Sequence, residues 1–491
     1  MDRRHFIKHL SRYAIGGAAM AAFPGLQGLI NSPGDRYNVL FIAVDDLRPQ
    51  LGCCGREQMI SPHIDRLASQ GLLFERAYCQ QALCAPSRIS LLSGLRPDST
   101  GIYDLKSRLS KKMPHRVSLP NHFKQNGYET ISLGKIYHHI DDDLRAWSEK
   151  PDRVMRRGGK YVTKEALKLI AENRKLYPGS RSRGAPTEIA DVPDNAYPDG
   201  ELTDRAIKEL NRLKGKPFFL SVGYRKPHLP FAAPKKYWDM YDPEKLQLAP
   251  NPFPPKNIKR YALTDFGELR GYYGMPKGNK PVSNEQARHL IHGYYACVSF
   301  IDAQVGRLLA ELAALKLKEK TIVILWGDHG WKLGEHASWC KHTNFENDTN
   351  APVIISVPGM KTAGRKTKAL VEFVDIYPSL CDLCGLTLPD QPFDGVSFVP
   401  LLQNPGRQWK KAAFSQYPRA GVMGYTMRTE NFRYTEWKHV KTGKIPVREL
   451  YDHGKDPQEN INVIDDPKYA EVVKKLEQMM KRGWKGALPP K

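Results

Sequence analysis

Cysteine is scarce in this chain. Eight occur in 491 residues, at positions 53, 54, 79, 84, 297, 340, 381 and 384. They are too sparse and too uneven to build a disulfide scaffold. Cys381-Asp382-Leu383-Cys384 has redox spacing, but it lies in an apolar run of helical character ending at Gly385. Two buried helix cysteines are expected there rather than a redox centre, and no second pair is spaced for zinc. Long hydrophobic runs are missing as well. The one mildly apolar stretch, residues 13–30, is rich in glycine and alanine and broken by Pro24, a poor membrane span. Acidic residues are in deficit: 52 Asp and Glu face 75 Lys and Arg, a net charge of +23. That balance favours an anionic partner. The basic clusters at 153–157 and 361–368 lack interleaved aromatics or any recognisable nucleic-acid module, which argues against nucleic acid. No internal repeat is present. Hydrophobic residues at 41% and charged residues at 26% argue against a disordered chain.

What is present has an order. Arg3-Arg4-His5-Phe6-Ile7-Lys8, the apolar stretch after it and Ala19-Met20-Ala21 predict a twin-arginine signal over residues 1–33, hence a periplasmic or secreted protein. Short apolar runs then alternate with helical patterns, the mark of an α/β fold around a mostly parallel sheet. Buried-type strands are expected at 39–44, 130–133, 218–222, 321–326 and 353–357. Ile301, Val305, Leu308, Leu309, Leu312 and Leu315 share one helix face. Residues 145–200 and 232–284 are polar, rich in Pro, Gly and Lys, and read as loop-dominated insertions around a substrate mouth. The pattern changes near residue 406. The division expected is therefore 34–405 for the main domain and 406–491 for a small antiparallel sheet with one helix.

Four of the expected strands run directly into reactive side chains. The first meets Asp45-Asp46, the second Lys135 and His138-His139, the third His228, and the fourth Asp328-His329. Any one of these has an ordinary explanation as a turn, cap or solvated loop residue. Together they would converge, because ligand crevices in open α/β sheets lie at the carboxyl ends of strands. Asp45, Asp46 and Asp328 offer hard oxygen donors that favour calcium or magnesium, while His329 leaves manganese or zinc open. Arg88, Lys135, His138, His228 and Lys341 supply positive charge or transferable protons, suited to a tetrahedral anion or its monoester. Cys84-Ala85-Pro86-Ser87-Arg88 is followed by an apolar segment and Gly94, which predicts a short helix with Cys84 at its anion-favouring N-terminus.

Cys84-Ala85-Pro86-Ser87-Arg88 fits Cys-x-Pro-x-Arg, and longer motifs accompany it. They include Val44-Asp45-Asp46-Leu47-Arg48-Pro49, Gly94-Leu95-Arg96-Pro97-Asp98, residues 223–230, 328–336 and 449–460. With them the chain resembles the type I sulfatases, and within these the iduronate-2-sulfatase-like group, from Asn38 to about residue 463. The resemblance implies an alkaline-phosphatase-like fold and hydrolysis of a sulfate ester on a saccharide, with an iduronate 2-sulfate type leading. It implies that a maturation enzyme converts Cys84 to formylglycine, whose hydrate is the nucleophile of a covalent mechanism. One Ca2+ would be held by Asp45, Asp46, residue 84, Asp328 and His329. Arg88 and Lys135 would stabilise the formylglycine and sulfate charge, and His138 would be the base that restores the aldehyde. His228 and Lys341 would bind sulfate and assist the leaving hydroxyl. Export of a folded protein by the twin-arginine translocon would let Cys84 be modified first. Two other readings remain: a phosphate or phosphonate ester hydrolase of the same superfamily, and a non-catalytic sulfated-polysaccharide-binding protein. His139 and the acidic run 140–143 depart from the family pattern.

Overall fold

The computed structural model describes residues 36–154, 161–178 and 183–490. The expected signal peptide and part of the 153–157 basic cluster lie outside the described residues.

Seven strands form the main sheet: β1 (Asn38–Val44), β2 (Leu72–Phe74), β3 (Glu129–Gly134), β4 (Phe218–Tyr224), β5 (Thr321–Gly327), β6 (Val353–Ser356) and β7 (Arg365–Thr367). Their spatial order is β7-β2-β6-β5-β1-β4-β3. Every residue of β1, β4 and β5 is buried. A strand covered on both faces has no polar side, so it reads as one apolar run. β1 pairs in parallel with β4 and β5, and β3 in parallel with β4. β6 runs antiparallel to both β5 and β2, so the sheet is mixed. A buried apolar run looks the same in either direction, and only its hydrogen-bond partners decide. β2 and β7, three residues each, are too short to leave a pattern.

The helices that matter here are α1 (Cys84–Ser93), α2 (Lys164–Leu176), α3 (Pro198–Arg212), α4 (Gly267–Arg270), α5 (Asn284–Ala314), α6 (Ile376–Leu383) and α7 (Ala470–Arg482). α5 begins well before the stretch 301–315. Ser283 caps Gln286 reciprocally at its start, and Leu290, Tyr294 and Cys297 continue the buried face. Segment 145–200 is more ordered than its composition suggests. It holds α2 and the strand Thr187–Ala190, which pairs in parallel with Phe231–Pro234.

A second sheet follows: β8 (Ala413–Arg419), β9 (Val422–Arg428), β10 (Phe432–His439) and β11 (Val447–Asp452), an antiparallel meander. Leu476 of α7 packs with Met427, Tyr434 and Leu450 on one face of it. On β8, Ser415 Oγ donates to the Cys79 carbonyl (2.5 Å) and the Gln416 amide to the Gln80 carbonyl (2.8 Å). The second sheet thus fastens the loop that leads into Cys84. Among the described residues no helix is long and apolar enough to cross a membrane.

Candidate active site

The carboxyl ends of β1, β3, β4 and β5 meet at one place because their glycines allow it. A Cβ on Gly134 would lie 2.2 Å from the Gly223 carbonyl oxygen, and one on Gly223 would lie 2.3 Å from that of Lys135. Only glycine lets these chain segments approach so closely. Lys135 is thereby brought over β4 toward β1. Asp46 adopts φ 62°, and its amide donates to Asp328 Oδ1 at 2.9 Å, tying the ends of β1 and β5 together.

α1 enters from the side. All ten of its residues are buried, and Gly94 ends it at φ 68°. Cys84 at its start lies 3.3 Å from His329 Nε2. Ligand atoms of Asp45, Cys84 and Asp328 lie within 4.8 Å of one another, as do those of Asp46, Cys84 and His329, and those of Asp45, Asp46 and His228. The five expected metal-site residues therefore form one buried cluster. Burial pushes the Cys84 thiol well above its ordinary range, so the unmodified group stays protonated.

Arg88 is fully buried, and its donors are spent inside the protein. Nε binds Asp328 Oδ2 (2.8 Å), Nη2 binds Asp45 Oδ1 (3.1 Å), and Nη1 reaches the carbonyls of Lys135 and Ile136. It clamps α1 to the strand ends. Lys135 Nζ sits 2.5 Å from Asp45 Oδ2. Burial alone would raise the Asp45 carboxyl, but Lys135, His228 and Arg88 outweigh it and hold it well below the usual carboxylate range. At Asp46 burial wins over Lys341, and the carboxyl is pushed up.

In front of the cluster opens a cavity of about 480 Å3, a size suited to a small ligand or sugar unit. Cys84, His138, His228 and Lys341 line it. Burial, then Lys135, push His138 down to about 3, so it is neutral at working pH. His139 supports it from outside: the two rings meet edge-on at 5.0 Å, and His139 Nε2 binds the Leu105 carbonyl (2.7 Å). The acidic run 140–143 is structural. Asp142 accepts from the amides of Leu109 and Ser110, and Asp143 from Ser118 and Tyr137.

The cavity also holds residues that the sequence did not single out. Glu268 of α4 bridges Lys341 (3.0 Å) and His228 Nε2 (3.1 Å), with Arg183 at 3.6 Å. Burial pushes its carboxyl up, yet Lys341 and His228 outweigh that and hold it well down. Nothing local marks Glu268, which sits in a polar segment with no strand before it. Lys341 is further held by Asp46 (2.8 Å) and stands 4.7 Å over the Trp331 ring. His342, the next residue, is fixed from the second sheet by Tyr417 Oη (2.6 Å) and by Arg419 on its carbonyl (2.5 Å).

Several known proteins resemble this chain. The family model described as Sulfatase matches residues 37–386, and that described as N-sulphoglucosamine sulphohydrolase, C-terminal, matches 334–485. Iduronate 2-sulfatase of Mus musculus is 34% identical over 545 residues, covering 94% of this chain and 96% of the relative. A solved structure in complex with its substrate D-glucosamine-2-N,6-O-disulfate superposes with a TM-score of 0.71 at 23% identity, covering 92% of this chain and 98% of the other. A phosphonate monoester hydrolase of Agrobacterium radiobacter superposes equally well (TM-score 0.71, 24% identity, 91% and 95% covered), which at that identity speaks for the shared alkaline-phosphatase-like fold. With a family model spanning most of its length and a relative at 34% identity across it, the chain belongs to the sulfatase family, in its iduronate-2-sulfatase-like group, and is a sulfuric ester hydrolase.

Proposed function

We propose that the protein removes sulfate from a sulfated saccharide, using formylglycine made from Cys84 and one calcium ion held by Asp45, Asp46, residue 84, Asp328 and His329. The observation that carries this reading is a mismatch at position 84. The carboxylates around it are hard donors, whereas Cys84 offers a soft sulfur whose thiol is kept protonated by burial. A hard cation bound by that set favours an oxygen at position 84 too, and formylglycine supplies one. Charge favours the cation as well. Asp45, Asp46 and Asp328 bring three buried carboxylates to one place at the strand ends. A divalent cation shared by them would add positive charge beside residue 84, where the sulfate must sit.

When present, the formylglycine hydrate supplies the attacking hydroxyl, and calcium supplies Lewis-acid charge. The remaining work falls to the chain's own side chains. Lys341 and His228, on the cavity wall, bind the sulfate charge, and His228 Nε2 hands a proton to the departing sugar oxygen. His138, kept neutral, accepts a proton on its ring. Lys135 holds Asp45 ionised and adds positive charge beside residue 84. Arg88 keeps the start of α1 against Asp45 and Asp328, so it acts through them rather than at the cavity. Iduronate 2-sulfate-type esters are the leading substrate, on the strength of the 34% identical relative and the +23 charge. The pattern at residues 1–33 supports maturation in the cytoplasm and export through the twin-arginine translocon to the periplasm or beyond. We read residues 406–491 as a C-terminal subdomain that braces the Cys84 loop and His342.

The test is the mass of the tryptic peptide spanning residues 77–88, from protein made in a host able to modify it. Sulfur replaced by an aldehyde oxygen at Cys84 is the expected result. A free thiol despite a competent host would sink this reading and leave a binding protein in its place.

A further inference from the structure

The basic stretch 361–368 and the surplus of positive charge are not consumed by the catalytic cavity. They lead to a second cleft, of about 810 Å3, walled by β7, by residues 405–411 and by the turn between β9 and β10. Seven cationic residues line it, six of them being Arg76, Arg365, Lys366, Lys368, Arg407 and Lys411. Of these six, all but the half-buried Arg76 are exposed, and none is ion-paired with a carboxylate among the described residues. Lys366 Nζ donates to the Cys53 carbonyl (2.6 Å). Against these stand two acids, Glu75 and Glu430. Lys410 also lines the cleft but is committed to Glu372 and Asp375 (2.8 and 2.7 Å). Trp409 lines it with 8% of its surface exposed, and its indole N–H has no acceptor among the described residues. Phe432 adds a half-buried apolar ring.

We propose that this cleft is a second, non-catalytic binding site for an anionic saccharide polymer, an inference that rests on the sulfated-saccharide reading of the catalytic site. Exposed single charges contribute little each, so a small anion gains almost nothing there. A polymer with repeated sulfates or carboxylates engages several cations on one chain, and each contact raises the effective concentration for the next. Phe432 offers a half-buried apolar ring against which one sugar face can pack. Position fits the same occupant. β2, β5 and β7 run in one direction, because β6 is antiparallel to β2 and β5 while β7 is parallel to β2. Arg76 and Lys368 therefore follow carboxyl ends, on the same end of the sheet as Asp328. β7 lies three strands from β5, roughly 14 Å at the usual strand spacing. The two sites share no lining residue, and an extended polymer is the kind of ligand long enough to cover such a separation. A nucleic acid would want a row of exposed aromatic platforms along the basic track, and the single half-buried ring of Phe432 does not make a row among the described residues.

The experiment compares wild-type protein with a variant carrying Arg365→Glu, Lys368→Glu, Arg407→Glu and Lys411→Glu. Affinity for dextran sulfate, for neutral dextran and for a single-stranded oligonucleotide of matched charge is measured at about 0.15 M salt. Turnover of a small sulfated monosaccharide is followed in the same preparations. Dextran sulfate affinity is expected to fall at least about tenfold, with neutral dextran unbound throughout and small-substrate turnover unchanged. A milder Arg365→Gln, Lys368→Gln variant guards against misfolding and should lose about threefold. Unchanged dextran sulfate affinity in both variants overturns the proposal. So does an oligonucleotide that binds the wild type as tightly and is lost in parallel, since the surface would then be a general polyanion site. Absence of turnover in wild type would instead strike the catalytic reading and leave the binding comparison intact.

Discussion

At the residue scale the arrangement around position 84 makes two demands that can be measured. Cys84→Ala removes the proposed nucleophile, yet the methyl fits a site already buried among neighbours. Turnover should be lost to background while the melting temperature stays within a few degrees of wild type; substantial residual activity would refute the role given to Cys84. Glu268 is the second case. Its carboxylate holds both Lys341 and His228, and a neutral amide in Glu268→Gln cannot serve two cations. A charge-assisted contact contributes about 1.5–3 kcal/mol, so kcat/KM should fall roughly tenfold or more, mainly through kcat. Glu268→Asp, which keeps the charge, should recover part of it. Equal KM and kcat in Glu268→Gln and wild type would show that the bridge positions nothing. Cys84, Asp45, Asp46, Asp328 and His329 were legible in the sequence because each adjoins a strand end or a helix start. Glu268 was not, since its importance comes from partners 40 and 73 positions away.

At the scale of elements, the joint between α1, α6 and the second sheet runs through Glu372. It binds Arg96 (2.7 Å), which follows α1, and Lys410 (2.8 Å), which precedes β8, and it accepts from the Phe414 amide (2.8 Å). Burial raises its carboxyl, but Arg96 and Lys410 outweigh that and bring it down to about 2. A folded-state value below the ordinary 4.5 means stability present above about pH 4.5 and lost as pH falls toward 2. Glu372→Gln leaves two buried cations short of a partner, a loss on the order of 3 kcal/mol at neutral pH. Thermal melts across pH should show the gap to wild type widest above pH 5 and closing toward pH 2–3. A gap that stays constant with pH would remove ionised Glu372 as its source. The strands themselves were legible from their apolar runs; this joint was not, because single charges in loops carry no period.

For the whole molecule, charge decides more than shape. The cluster packs carboxylates and cations together at the ends of four strands, and the proposed divalent cation would tie those ends to α1. Chelation of calcium should abolish turnover and lower the melting temperature by a few degrees, with calcium restoring both more effectively than magnesium. Activity and melting unaltered by exhaustive chelation would exclude the metal assignment. The second sheet contributes at this scale too. Through Ser415, Gln416, Tyr417 and Arg419 it holds the Cys84 loop and His342, so damage to its packing should reach the cavity without touching a lining residue.

By itself the sequence determined the α/β class, the principal strands, the helix that starts at Cys84 and the set of side chains that ends up clustered. All of these follow from local regularities: apolar runs, helical spacing, glycine stops, and the rule that strand ends face the crevice. Tertiary structure decided the rest. It turned β6 antiparallel, made Arg88 an internal clamp, set Glu268 between Lys341 and His228, and assembled a basic cleft from segments far apart in the chain. The physical reason is the same in each case. Ion pairs and strand partners joined across tens or hundreds of residues are chosen by geometry once the chain has folded, and they leave no periodic trace in the sequence that encodes them.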